Sequence, residues 1–526
     1  MDRKISRIKW NIGKLIQKRS LFSPEKIALI FDDLQYTYKD LNERSNRLAN
    51  YFMEIGLKKG DTISVLLRDS PEILDSYFAA AKLGLIFAPL NFRLTAREIE
   101  YQLNNSESRF LLFHDIYTDI ISSLRSSVSI EPDRYVYLAS VLGDAPSIPK
   151  WAVNLNKIVE KASIKEPVPD KAVYLDDPLA IIYTSGTTGD PKGALVSHEQ
   201  TFFKCFHNNF EFDLNSDDIF LSQLPLFHSG GLFVSATPVI AQGATLLMRN
   251  SFNAEKFVED IEKYRATIIF GLTTMWRFAF QTGKFDTTDV SSVKLVMAGG
   301  ESKSGSLFEL LDRTFPGIYV MTGYGQTENS NMMFLPKQYA HKRSQGCVGL
   351  SGYFADMWVE DEDGRELPQG EIGEIISTGP NMMMGYWNMP EKTAATIKNG
   401  NLHTGDLAYR DEDGCFYLVD RAKDMYRSGG ENVYPAEIEN LLSLHPKIFN
   451  VAVIGVPDEI WGESGMAIII PHKGEIITKE EIDQFLKGNL AGYKFPKKIK
   501  LVKEFPLTSS GKVRKVALKE KYGSTL

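Results

Sequence analysis

The chain has 526 residues, 43% of them apolar and 24% charged, and a net charge of −7. That length calls for more than one hydrophobic core, and the composition is that of ordinary globular protein. The acidic balance excludes nucleic acid as the main partner, because a phosphate backbone demands a basic surface.

The opening segment MDRKISRIKWNIGKLIQKRS is basic and lacks the apolar core of a signal peptide. Ile5, Ile8, Ile12 and Ile16 recur near helical spacing, which predicts an amphipathic segment docked on its own domain. No stretch approaches the ~18 apolar residues of a spanning helix. No integral membrane segment and a cytoplasmic location are expected. From about residue 60 to about residue 450 strands and helices alternate. DTISVLL predicts a strand, SPEILDSYFAAAKLG a helix with Pro71 early in it, and IFAPL the next strand. The rhythm returns in NAEKFVEDIEKYRATIIFGL, in VKLVMAGG and in GIYVMTGYG. Such alternation implies an α/β fold with mostly parallel sheets, whose ligands bind at loops beyond the strand C-termini. The last hundred or so residues predict a separate α+β module: AEIENLLSLHP as a helix, NVAVIGVP and GMAIIIP as strands, KEEIDQFLKGNL as a helix, then a basic tail. The expected division is a large N-terminal domain of several subdomains, 1–422, and a small mobile lid, 423–526. Cys205, Cys347 and Cys415 are too widely spaced for a disulfide framework or a metal cluster and are expected to be structural.

Four polar stretches carry candidate chemistry. YTSGTTGDPKG, 183–193, packs glycines, hydroxyls and one lysine behind the apolar run LAII. Glycine lets backbone N–H groups approach a ligand, and hydroxyls with a lysine suit phosphate oxygens. It is not a Walker A loop, since Lys192 follows Pro191 rather than glycine. GYGQTEN, 323–329, offers the ring of Tyr324 for a base, the hydroxyl of Thr327 for a phosphate and the carboxylate of Glu328 for Mg²⁺. In LHTGDLAYRDEDGCFYLVDRAKD, 402–424, Asp406 suits both hydroxyls of a ribose, and Arg421 suits the same site. PLTSSGKVRK, 506–515, presents Lys512 from a turn.

In this order, with AGGES between the first two and GGENVYP between the last two, these stretches resemble the adenylate-forming enzymes of the ANL superfamily along nearly the whole chain. That superfamily comprises acyl- and aryl-CoA synthetases, adenylation domains of peptide synthetases, and luciferases. The resemblance implies ATP and CoA as co-substrates and Mg²⁺ as cofactor. It places Thr184, Ser185, Gly186, Thr187, Thr188 and Lys192 at the ATP phosphates. Gly300, Glu301 and Ser302, with Gly323 and Tyr324, fall at the adenine, Thr327 at the α-phosphate and Glu328 at the metal. It places Asp406 and Arg421 at the ribose, Lys512 as the catalytic lysine, Lys423 at the hinge, and Gly429 and Gly430 along the thiol arm of CoA. In LPLFHSGGLFVSA, His228 matches the residue beside the substrate carboxylate. Ser229 stands where amino-acid-activating members carry an Asp, so an amino-acid substrate is disfavoured. Gly230 and Gly231 are expected to leave volume beyond the carboxylate, and Val234 and Trp276 to line an apolar acyl pocket. The implied activity is ligation of a fatty, alicyclic or aromatic acid to CoA through an acyl-adenylate. The alternatives are a ligase that loads a carrier protein in trans, a luciferase-like oxidase, and a catalytically silent nucleotide- or acyl-CoA-binding regulator. No carrier domain follows Lys512, which favours a diffusing thiol. A homodimer is admitted as the assembly.

Overall fold

The computed structural model describes residues 7–139, 149–184, 191–299, 305–428, 431–507 and 513–523. Apolar runs become buried strands. Thr62–Leu66 and Ile86–Pro89 are buried at every position, as parallel strands covered on both faces require. Between them the helix Pro71–Leu83 starts on its proline and stops at Gly84, whose φ of 70° suits glycine. This helix is buried almost all round, and its two interior charges are paired: Asp75 with Arg44 at 2.6 Å, Lys82 with Glu166 at 2.9 Å. Unpaired, either would carry a heavy desolvation cost.

These strands belong to an eight-stranded sheet with the order 385–386, 192–197, 178–184, 86–89, 62–66, 108–114, 135–138, 153–154. It is parallel from 86 to 154, while Pro178–Thr184 and Lys192–Ser197 form an antiparallel pair. The chain between 184 and 192 thus joins two strands of one hairpin, where a Walker A loop would feed a helix. A seven-stranded sheet runs 319–321, 295–299, 268–272, 219–222, 245–248, 27–31, 34–37, parallel except for its last pair. One hydrophobic core, including Phe52, Tyr77, Phe87, Leu221, Phe233 and Trp276, spans both sheets.

The third sheet departs from the expected alternation. Between 323 and 421 the chain forms an antiparallel sheet, 323–326, 330–334, 347–351, 416–421, 401–410, 373–378, 356–360, with one seven-residue α-helix, Pro390–Thr396, among its described residues. Strand runs there are short and joined by turns, so their periodicity blends into that of the flanking βα units. The fourth sheet holds Glu431–Val433, Tyr426–Ser428, Gly462–Pro471, Ile448–Asp458 and Lys498–Leu501, covered by Pro435–Leu442, Lys479–Leu486 and Lys515–Tyr522. The chain leaves the third sheet at Arg421 and enters the fourth at Tyr426, with Lys423 in the turn between. The α/β class stands. The basic tail instead contributes the strand Lys498–Leu501 and the helix Lys515–Tyr522, whose Leu518 is buried. At the N-terminus the helix begins only at Gly13. Ile12 and Ile16 are buried, Ile8 is 62% exposed, and Ile5 lies outside the described residues. Cys205, Cys347 and Cys415 are buried and free. Among the described residues no helix is long and apolar enough to cross a membrane.

Candidate active site

The antiparallel pair Gly323–Gln326 and Ser330–Phe334 builds the centre of the site. Gly323 is required by its neighbour: a Cβ there would stand 2.8 Å from the carbonyl oxygen of Met333. Across the sheet, Asp406 lies opposite Arg421 on paired strands. Its carboxylate accepts the Tyr324 hydroxyl (2.6 Å) and the Gln326 amide (2.5 Å) on Oδ2, and its Oδ1 forms an ion pair with Arg421 Nε at 2.9 Å. Gln326 also donates to the Thr404 carbonyl at 2.9 Å. Burial and the adjacent Asp406 charge hold the Tyr324 phenol well above its ordinary pKa, so it stays a donor. A carboxylate has about four lone-pair sites, and these two hydrogen bonds both fall on Oδ2, while Oδ1 faces the Arg421 guanidinium.

Two residues beyond Gln326, Glu328 accepts the Tyr386 hydroxyl on Oε1 at 2.7 Å. The same hydroxyl accepts Lys192 Nζ at 2.8 Å, and that ammonium stands 4.1 Å from the centre of the Tyr386 ring. Burial lowers the Lys192 pKa and Glu328 opposes the shift. Lys192 and Glu328 are thus joined through one tyrosine. Glu328 fits Mg²⁺: it is an oxygen donor, and no group of three or more metal-ligating side chains occurs among the described residues. Mg²⁺ commonly takes one or two protein carboxylates and completes its shell with phosphate oxygens and water. Thr327 is half-buried in the same turn. Thr184 donates to the Lys192 carbonyl at 3.3 Å, tying the two ends of the phosphate loop.

The segment 224–236 forms the second wall. Leu226 N donates to Asp69 Oδ1 at 2.8 Å, fixing the turn before His228, and burial pushes that carboxyl up to about 7. His228 is half-buried, and its Nδ1 accepts the Gly230 amide at 3.2 Å. In the neutral ring that bond puts the proton on Nε2. A π-helical turn, Gly230–Ala236, follows; such turns occur often at functional sites. Ser229, just before it, and Val234 within it are buried.

Gly231 corrects the expectation of open volume. A Cβ at Gly231 would stand 2.2 Å from the Pro225 carbonyl oxygen, whereas at Gly230 the nearest atoms are at 3.5 and 3.6 Å. Gly231→Ala is expected to cost about 1–3 kcal/mol of stability through overpacking, and Gly230→Ala to melt like the parent. Thermal denaturation of the two variants checks this. Trp276 sits in the core rather than at an open face: it is fully buried among Phe257, Phe285 and Phe315, and its indole donates to the Met297 carbonyl at 3.1 Å.

Ser185, Gly186, Thr187, Thr188, Gly300, Glu301, Ser302, Gly429, Gly430 and Lys512 lie outside the described residues. The chain flanking Lys512 is held by an antiparallel bridge between Leu507 and Val513 and by Arg514 N donating to the Pro506 carbonyl at 2.8 Å. The fourth sheet docks on the rest of the chain through Arg277 Nη1 to the Phe449 carbonyl (3.3 Å) and Ala436 N to Asp420 (2.9 Å). Gln326 and Tyr386 escape the sequence reading. Gln326 stands inside a quoted motif with a side chain of no distinctive chemistry, and Tyr386 lies far along the chain in GYWN, an unremarked segment.

Residues 16–387 match the family model of the AMP-binding enzyme and residues 437–512 that of the AMP-binding enzyme C-terminal domain. A feruloyl-CoA synthase of Amycolatopsis is 34% identical over 514 residues, 97% of this chain and 99% of that one. An indoleacetate–CoA ligase of Aromatoleum aromaticum is 33% identical, covering 96% of each. The crystal structure of ATP-bound MatB from Rhodopseudomonas palustris superposes with a TM-score of 0.87 at 30% identity, over 98% of this chain and 99% of that one. Matched from end to end by enzymes of this kind, and with the Asp406 and Glu328 clusters on one antiparallel sheet, the chain belongs to the AMP-binding, adenylate-forming enzymes.

Proposed function

We propose that the chain ligates an apolar fatty, alicyclic or aromatic acid to CoA, using ATP and releasing AMP and pyrophosphate. The observation that carries this is the pair of clusters on one sheet: Tyr324, Gln326 and Arg421 on Asp406, and Tyr386 on Glu328 with Lys192 on the Tyr386 hydroxyl. The first suits the nucleoside, the second the triphosphate with its cation. The relatives' names add CoA and aromatic acids.

The chemistry follows from charge. A carboxylate is a poor nucleophile towards a triphosphate that repels it. Glu328 would hold Mg²⁺, which would supply charge neutralisation at the phosphates. Lys192 and Lys512 add cationic donors where negative charge develops, and the acid attacks the α-phosphorus in line, expelling pyrophosphate. Tyr324 and Asp406 orient the nucleoside, and His228 donates from Nε2 to the acid. The acyl-adenylate is a mixed anhydride, and the CoA thiol then attacks its carbonyl with AMP leaving. A closing C-terminal module keeps water from the anhydride.

ATP–pyrophosphate exchange and thioester formation across a panel of acids test the reading. At least one apolar carboxylic acid is expected to support both robustly. Common amino acids are expected to support neither, because Ser229 supplies no anion to pair a desolvated ammonium. Robust exchange with any amino acid overturns the pocket assignment.

A further inference from the structure

The helix His198–Glu211 packs its inner side against the π-helical turn that follows His228, and Asn208 Nδ2 donates to the Phe233 carbonyl at 3.0 Å. One turn earlier on the same helix stands Lys204, whose exposure is 1%. Its Nζ lies 4.9 Å from the centre of the Phe233 ring and has no hydrogen-bond partner among the described residues. Burial pushes this ammonium down to about 7. Lys204 therefore lies inside the wall formed by its helix and the turn beyond His228. Other buried polar atoms of the two flanking segments are also unpartnered: Asn208 Oδ1, Asn329 Nδ2 and Ser330 Oγ.

Lys82, another buried lysine, shows the usual solution, with Asn42, Asn46 and Glu166 around its ammonium. Buried polar groups nearly always have a partner, and a buried charge without one is costly. An aromatic face offsets only a small part of that cost. A buried amine left this way against the turn beyond His228 is completed when an acceptor arrives with the substrate.

We propose that Lys204 Nζ recognises an acceptor oxygen on the tail of the acid, remote from the carboxylate that His228 faces. The inference rests on the ligase reading and narrows it: the preferred acid is apolar in its body and oxygenated towards its far end. A phenolic oxygen and a second carboxylate supply the same acceptor chemistry. A site built to bond a substrate oxygen discriminates strongly against the analogue lacking it, because the protein donor is then stranded.

The test uses the full chain, with ATP and CoA, on two matched pairs: cinnamic against 4-hydroxycinnamic acid, and octanoic against octanedioic acid. The parent is expected to favour the oxygenated member of one pair by tenfold or more in kcat/KM, and the pair that responds tells phenol from carboxylate. Lys204→Met is expected to erase that preference chiefly through KM, leaving the unoxygenated acid within about threefold. Lys204→Gln, which keeps a donor without the charge, is expected to retain part of it and serves if the methionine variant fails to fold. In the substrate-free protein Lys204→Met is expected to raise the melting midpoint, since it removes a buried amine that has no hydrogen-bond partner among the described residues. A parent active on several acids but indifferent within both pairs overturns this proposal alone. So does an equal loss on all acids in the variants, or a lowered melting midpoint. A parent silent with every acid in pyrophosphate exchange overturns the ligase reading itself.

Discussion

Lys512→Ala is expected to slow acyl-adenylate formation from acid and ATP by roughly a hundred- to a thousandfold, the effect of removing one preorganised charge donor from a transition state. The same variant is expected to convert supplied acyl-adenylate and CoA to thioester at near the parental rate. The first half-reaction brings an anion to an anionic triphosphate and needs a cation at the point of attack. The second has AMP as leaving group and needs a clear path for a thiol. One closed pose is not expected to serve both. Lys512 and Gly430 lie some eighty residues apart in the C-terminal module, which is joined through the turn holding Lys423. Among the described residues, Arg277 to Phe449 and Ala436 to Asp420 are hydrogen bonds that hold this module on the rest of the chain. Replacing Gly430 with a bulky residue, or Lys423 with proline, is expected to do the reverse of Lys512→Ala, sparing adenylation and slowing thioester formation. Single-turnover measurement of each half-reaction decides it. Equal impairment of both halves by Lys512→Ala and the Gly430 variant points to one static site.

Asp406→Ala is expected to weaken ATP binding by roughly a hundredfold. A hydrogen bond to a charged group contributes about 1.5–3 kcal/mol, and any ribose hydroxyl bonded to Asp406 loses one. The larger share comes from what the carboxylate organises. Without it the buried Tyr324 hydroxyl loses its acceptor, Gln326 keeps only the Thr404 carbonyl, and Arg421 loses its ion pair. The adenine platform and the guanidinium then drift together. Titration calorimetry with ATP measures the loss, and parental affinity in Asp406→Ala refutes the ribose assignment. Tyr324→Phe separates the contributions, because it keeps the ring and removes only the donor to Asp406. A loss of a few fold is expected there, well short of the alanine variant.

The primary structure alone was enough for the α/β class, the helix between Pro71 and Gly84, the separate C-terminal module and the family. Each rests on local information: apolar periodicity, a proline at a helix start, a glycine at its stop, or a polar loop whose residue types state its chemistry. Folding was needed to decide what depends on atoms distant in the chain. The antiparallel sheet from 323 to 421 is invisible to periodicity because its strands are short and its partners are set by register. Tyr386 meets Lys192 across 194 positions and Glu328 across 58, and no local pattern encodes such a bridge. Gly231 reads in the sequence as spare volume, yet the Pro225 backbone fills that volume. Trp276 reads as a pocket aromatic, yet its indole finds its acceptor in the core. Lys204 reads as one more helix lysine, and only packing shows that its charge is buried and unpartnered. Residue type sets what a side chain can do, while burial and the partners brought by distant strands set what it does.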